Sequence, residues 1–433
     1  MQAIHRLLLA AVVMVLLAGA TAMAADAVIP PGTVITHANW EQYKQFMPVG
    51  MQVLWEGKYH WKFPPDFQIV VGPEHHYAPP KVYTDNTKKY AGQVKIVDLP
   101  NGEHTISGYV AGLPFPNPSA PRKGYKILVD EWYRYVPYLI CGPDYWNWLM
   151  DRFGNHAPLR LILVYRRLSH ISDFGMPITD PQAQGVDYSE YIMLTIPEQE
   201  KYVTNLTLYY VDPSKPEDLY LFIPALRRSL RLTAAARCAP FVGTDLVQDD
   251  TRSGFNGGIV RFNAKYLRDM QVLTLTTADR MVYGKFSNFY TQNIVWPKPS
   301  IGSWELRPVY VIDVRRIPQE SAGYCYAKQI MYIDKESFNC LHKEMYDGKM
   351  QLWKYMRIDH IASPVPHEGM QFETGNFING IYDFQSSHIT VTTTSNPQGL
   401  WDRNNEDCRN YNGVNYDDVR KYSSVAGLSQ VLR

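Results

Sequence analysis

Apolar positions along the chain change their period near residue 157. In "THANWEQYKQFMPVGM", residues 36–51, Trp40, Tyr43 and Met47 recur at spacings of three and four, and Thr36 stands where a cap belongs, which predicts a helix with one apolar face. A second helix is predicted in "GPDYWNWLMDRFG", 142–154, with Pro143 in its first turn and Gly154 at its end. The intervening "GLPFPNPSAPRKG", 112–124, reads as loop. Beyond 157 the period becomes two: "LRLILVYRRLSH", "YVTNLTLYYVD", "MQVLTLTT" and "RPVYVIDVRRI" alternate β-branched and aromatic residues with polar ones. The pattern predicts a mainly β (α+β) protein with a large antiparallel sheet.

Local pairings follow from the turns. In 324–358 three strands form a meander, with "DKES" and Asp347-Gly348 as turns and residue 333 opposite 338. That register puts Met331 opposite Cys340 and leaves Cys325 roughly 20 Å away along its strand, too far for a Cys325–Cys340 disulfide. In "LYLFIPALRRSLRL", 219–232, Pro224 to Arg227 form the turn, so 223 faces 228 and 221 faces 230. One side then carries Leu219, Leu221, Ile223, Leu230 and Leu232, the other Tyr220, Phe222, Ser229 and Arg231. Burying five aliphatic side chains is worth on the order of 10 kcal/mol gross, so this side meets a core, a lipid or a partner. Leu206, Leu208 and Tyr210 continue the aliphatic theme on the preceding strand. A curved sheet with an apolar concave side makes a dry cavity for an acyl chain; a packed core gives the same pattern.

Composition narrows the classes. The net charge of +1 over 433 residues argues against nucleic acid as the main partner. His5 and Arg6 precede an apolar run from Leu7 to Leu17, and Ala22-Met23-Ala24 has the form of a signal-peptidase site, so residues 1–24 read as a signal peptide cleaved after Ala24. The run is short for a membrane span, and no cysteine follows the cleavage site to carry a lipoprotein's acyl anchor. The expectation is an unanchored periplasmic protein. The five cysteines, Cys141, Cys238, Cys325, Cys340 and Cys408, include no CxxC spacing. They are expected to be mostly buried thiols, with at least one unpaired.

No catalytic constellation stands out, and no cofactor or metal is expected. Glu74-His75-His76 reads as surface loop, because adjacent histidines point to different sides of an extended chain. "DRNNEDCRN", 402–410, imitates half a calcium loop, but Asp407 stands where glycine is required and Gly413 where the bidentate glutamate belongs. The sequon "NLT", 205–207, lies in a strand. The 31 tyrosines and 10 tryptophans supply sugar-stacking platforms, so a carbohydrate-binding protein or glycoside hydrolase is the alternative reading. An outer-membrane barrel shares the alternation but fits the helices and proline-rich loops poorly.

"LYLFIPALRRSLRL", "FVGTDLVQDD" at 241–250, "YVIDVRRIP" and "MYIDKESFNCLHKEMYDGKMQLWKY" occur in an order that resembles the signature segments of the bacterial outer-membrane lipoprotein-sorting (LolA/LolB-like) superfamily. More specifically they resemble its exported domain-of-unknown-function branch of the 1329 type, and "ANWEQYKQFMP", 38–48, fits that branch. The resemblance implies an incomplete barrel closed by helices that shields a lipid or acyl chain without covalent chemistry, with an inner-membrane exporter and an outer-membrane protein as partners. It implies a single domain over 25–433: an N-terminal extension (25–155), a half-barrel core (156–395) and a tail (396–433). It also groups Arg227, Arg228 and Arg231 with Asp245, Asp249 and Asp250, either as Arg–Asp pairs across neighbouring strands or as a rim that holds a headgroup or partner.

Overall fold

The computed structural model describes residues 28–276, 291, 296–360, 362–365, 369–372, 378–394 and 406–432. The predicted signal peptide and residues 402–405 of the calcium-loop imitation lie outside these residues. Thirteen strands form one antiparallel sheet. Numbering only these, they are β1 (Leu139–Met150), β2 (His156–Arg167), β3 (Val186–Ile196), β4 (Thr204–Tyr210), β5 (Asp218–Ile223), β6 (Arg228–Leu232), β7 (Phe262–Leu275), β8 (Trp304–Arg316), β9 (Lys328–Asp334), β10 (Cys340–Tyr346), β11 (Leu352–Asp359), β12 (Ile378–Asp383) and β13 (His388–Thr394). Their order is 6-5-4-3-2-1-13-12-11-10-9-8-7, two runs of hairpins that meet where β1 pairs with β13. The sheet does not close: β6 and β7 are its edges.

Among the described residues three helices of eight residues or more accompany it, α1 (Val49–Glu56), α2 (Lys81–Tyr90) and α3 (Lys123–Trp132). Tyr125, Ile127, Leu128 and Trp132 of α3 pack in one core with Leu161 and Leu163 of β2, Ile312 of β8, Met331 of β9 and Met356 of β11. The sheet therefore curls around α3, and this face is its inner one. Gly124 permits the close approach, since a Cβ there would lie 2.3 Å from the Tyr266 backbone nitrogen. The segment between β6 and β7 crosses the same interior and adds Leu246, Val247 and Phe255 to the core.

The outer face is covered at both wings. Met51, Leu54 and Trp55 of α1 pack on Trp304, Tyr355, Tyr382 and Ile389. Tyr416, Tyr422 and Leu428 near the C-terminus pack on Val164, Tyr191, Leu206 and Phe222. Two disulfides are present, Cys141–Cys408 and Cys238–Cys325, while Cys340 is buried and free. The expectation of mostly unpaired thiols is thus corrected; exclusion of a Cys325–Cys340 bond stands. The Cys141–Cys408 bond closes a separation of 267 residues, for which the chain-entropy model gives about 5.6 kcal/mol. Cys408→Ser is expected to lose a few kcal/mol of stability and to open the C-terminal segment to limited proteolysis, with cleavage after Tyr416 or Tyr422 as the readout.

Several local expectations are revised. Residues 142–150 form most of β1 and 151–154 the turn to β2, not a helix, because pairing with β2 and β13 on both sides overrides local helical spacing; a bulge between Gly142 and Tyr145 accommodates Pro143. The sheet therefore begins at Leu139, within the stretch assigned to the N-terminal extension. The helix expected over 36–51 is a 3₁₀ turn, Trp40–Phe46, followed by α1, with Pro48 before the latter and no cap from Thr36. In the meander Ile333 faces Cys340 and Met331 faces Lys343, because Asp334 accepts the backbone N–H groups of Glu336 and Ser337 and lengthens the turn. The Asp347-Gly348 turn is likewise longer: Tyr346 faces Leu352, and Asp347 Oδ1 accepts the N–H groups of Lys349 and Gln351.

Buried histidines set an acid limit. His342 Nε2 donates to the Leu273 carbonyl at 3.0 Å, and Nδ1 faces the Tyr355 hydroxyl at 2.8 Å. Burial pulls the imidazole down to about 3, and that of His360 to about 4. Depressed histidines contribute stability that is present above pH 6.5 and lost as the pH falls. Buried Glu190 and Asp359, raised to about 6, act with the opposite sign: their contribution is present below about pH 4 and lost as the pH rises through 6. Between about pH 4 and 6 these two pairs therefore work against each other. His342→Gln removes one side of that balance. Its cost in urea denaturation is expected to shrink by about 2 kcal/mol between pH 7 and pH 5; an unchanged cost would refute a neutral buried His342.

Candidate functional site

Register fixes which side chains face inward. Leu219 pairs with Leu232, Leu221 with Leu230 and Ile223 with Arg228, the pairing predicted from the sequence. Because β4 pairs Thr207 with Leu219 and Asn205 with Leu221, the inner neighbours of these leucines are Thr207 and Asn205. Leu206 and Leu208 instead share the outer face with Tyr220 and Phe222, under the C-terminal segment. Tyr210 also faces outward and donates to the Asp218 carboxylate at 2.6 Å. The eight apolar residues grouped by sequence are thus split between two faces, five inside and three outside. Both faces of this wing are covered, so hydrophobicity alone does not tell them apart.

Four of the inner five border a hollow; Leu230 does not line it. A cavity of about 380 Å³ lies between the sheet and residues 236–242, with Leu219, Leu221, Ile223 and Leu232 on one wall and Ala236, Ala239, Pro240, Phe241 and Val242 on the other. Leu194 and Val203, with the polar Glu200, Asn205 and Gln248, complete the lining. That is the liquid share of about a dozen waters, far beyond a packing defect. The Cys238–Cys325 bond ties the opposing wall to the strand end before β9. Val242, a β-branched residue, is held there at φ 44°, a conformation that such residues rarely adopt.

The predicted arginine–aspartate pairs take other partners, because the segment carrying the aspartates turns into the interior and does not continue the sheet. Arg231 meets Asp218, Asp249 meets Arg237 with Arg316 at 3.9 Å, and Asp245 meets His388 at 2.7 Å. Asp250 receives Lys343 Nζ at 2.7 Å, and both side chains are wholly buried. Arg227 and Arg228 are exposed at the hairpin turn. His75, read as surface loop, donates through Nδ1 to Glu305 Oε2 at 3.0 Å.

A second hollow of about 60 Å³ adjoins the first, sharing Phe241 and Gln248. Its lining includes Tyr145 and Asn147 of β1, Leu161 and Leu163 of β2, Glu190 of β3, and Arg252 and Ser253. Glu190 Oε2 accepts from Asn256 Nδ2 at 3.0 Å and from Gln248 and Thr251 at 3.3 Å. These polar residues were not singled out in the sequence, where no spacing joins Glu190 to Arg252.

An open antiparallel half-barrel, wound around its own crossing segment and left hollow at one wing, defines a class of incomplete-barrel proteins with an internal apolar cavity. The chain belongs to the family described as "Protein of unknown function (DUF1329)", whose model matches residues 34–421. No relative of curated function matches it. Among solved structures it is similar to a putative outer membrane lipoprotein-sorting protein domain from Vibrio parahaemolyticus, at 16% identity over 63% of this chain and 91% of that one, with a TM-score of 0.43. A DUF1329 family protein from Desulfovibrio piger is similar at 13% identity over 64% and 92%, with a TM-score of 0.43. A LolA superfamily protein from Nitrosomonas europaea follows at 14% identity over 61% and 88%, with a TM-score of 0.36.

Proposed function

We propose that the protein is an exported carrier that shelters a lipid, an acyl chain or another hydrophobic molecule in the periplasm, without covalent chemistry. The observation that carries this reading is the open apolar cavity of about 380 Å³ against Leu219, Leu221, Ile223 and Leu232. Those side chains are ordered by the hairpin register yet have no complete packing partner on one side, so a guest gains the apolar contacts that the fold leaves unmade. Loading removes the guest's chain from water; release exchanges these contacts for others as the wall at 236–242 moves. No helix among the described residues is long and apolar enough to cross a membrane. The signal-like N-terminus supports export, and an exporter and an outer-membrane acceptor are the partners such a route requires.

Solvent extraction and mass spectrometry of the protein purified from its native envelope test the reading, with a stoichiometric lipid as the expected result. An empty extract together with binding on a glycan array would replace it with the sugar-binding alternative.

A further inference from the structure

The smaller hollow has a polar character that an acyl cavity does not need. Three of its lining side chains are at least nine-tenths buried, Asn147 at 2%, Ser253 at 4% and Arg252 at 8% exposure. In each, polar atoms lack a hydrogen-bond partner among the described residues: Asn147 Oδ1, Ser253 Oγ, and Arg252 Nε and Nη1. Such groups are costly to bury unsatisfied, and a buried guanidinium most of all. Arg252 is held in place by its Nη2 bond to the Trp132 carbonyl and by the faces of Trp132 and Tyr188, 4.4 and 5.0 Å from its guanidinium carbon. Those contacts fix the side chain but leave two donor positions unused. The backbone supports the same arrangement, since Arg252, Ser253 and Gly254 are three consecutive residues at positive φ; two are not glycine, and such strain persists only where the surroundings impose it.

We infer that the smaller hollow is the headgroup subsite of the carrier cavity and takes the oxyanion, carboxylate or phosphate, of a single-chain amphiphile whose alkyl chain lies in the larger hollow. This rests on the carrier reading. Arg252 Nε and Nη1 and the Ser253 hydroxyl donate to the anion, while Asn147 Oδ1 is an acceptor and faces a hydroxyl or N–H of the ligand, not its charge. The volume of about 60 Å³ is the liquid share of about two waters, the scale of a small oxyanion head. Phe241 and Gln248, common to both linings, mark where head and chain join. Glu190 is the opposing charge in the chamber; three donors engage its Oε2, and burial raises it to about 6, so the neutral carboxyl is within easy reach of an arriving anion.

The test uses the delipidated full-length mature protein and titrates palmitate, methyl palmitate, a lysophosphatidate and inorganic phosphate by calorimetry. Palmitate or the lysophosphatidate is expected to bind at least about ten-fold more tightly than the methyl ester, the scale of charge-assisted hydrogen bonds; the tighter of the two assigns the head. Arg252→Met and Ser253→Ala are expected to erase that preference while keeping affinity for the ester. Ser253→Ala, a small change, keeps the test valid if Arg252→Met fails to fold by circular dichroism. Equal binding of acid and ester, with both lost in Leu221→Arg, overturns the headgroup subsite and leaves the carrier reading standing. Inorganic phosphate binding as tightly as the amphiphiles overturns the single-chain ligand. No binding of any amphiphile overturns both readings.

Discussion

Leu221→Arg is expected to yield a folded protein that carries no lipid. Leu221 is half-buried on the inner face and borders the cavity, so the longer side chain has space to extend without displacing a packed neighbour. Its guanidinium then occupies the hollow that a guest needs. Each displaced methylene forfeits about 0.8 kcal/mol, so blocking three or four lowers affinity by about fifty- to two-hundred-fold. Lipid content by mass spectrometry and an unaltered far-UV spectrum are the two readouts. The neighbouring strand supplies the contrast: Leu206 is fully buried on the outer face beneath the C-terminal segment, so Leu206→Arg is expected to lose the fold itself. A folded Leu221→Arg protein with its full lipid complement would refute the assignment of the inner face as the binding wall.

The second large effect concerns Asp250. Its carboxylate receives Lys343 Nζ, the Tyr326 hydroxyl at 2.7 Å and the Val247 N–H at 3.0 Å, and Lys343 also donates to the Gly254 carbonyl. The ion pair thereby anchors the crossing segment to β10 inside the barrel. Asp250→Ala leaves the ammonium buried without its counter-charge, and breaking a wholly buried pair from one side costs about 3–5 kcal/mol. Lys343→Met in the same chain is expected to recover part of this loss, since an apolar replacement removes the stranded charge. Denaturant titrations of both singles and the double would measure it. A single-mutant cost below about 1 kcal/mol would show that the pair does not hold the segment.

What the sequence disclosed depended on how local the determining contact is. The hairpin of β5 and β6 was legible down to its register because Pro224 and the alternation on both sides are consecutive in the chain. The sheet class followed from the change of period near 157. The face of β4 was not legible: Leu206 and Leu208 look like inner residues, yet Asn205 and Thr207 occupy that side, and only the distant segment around Tyr416 to Leu428 makes the outer side apolar as well. Residues 142–154 show helical spacing in isolation, and 142–150 become a strand through β13, paired from the far end of the chain. Asp249 and Asp250 stood out as a motif, but their partners Arg237, Arg316 and Lys343 are fixed by a crossing segment that no periodicity announces. For Arg252 and Ser253 the one local clue is the glycine that follows them.

The strand order has a kinetic consequence. The first strand of the sheet finds its second neighbour only in the last, so during synthesis one side of β1 stays open while the other eleven strands assemble in sequence. A naked edge of that length invites annealing to another nascent chain. Closure of the central seam is therefore the natural last step of assembly, and a chain cut short before His388 would be left as two unjoined wings prone to aggregate.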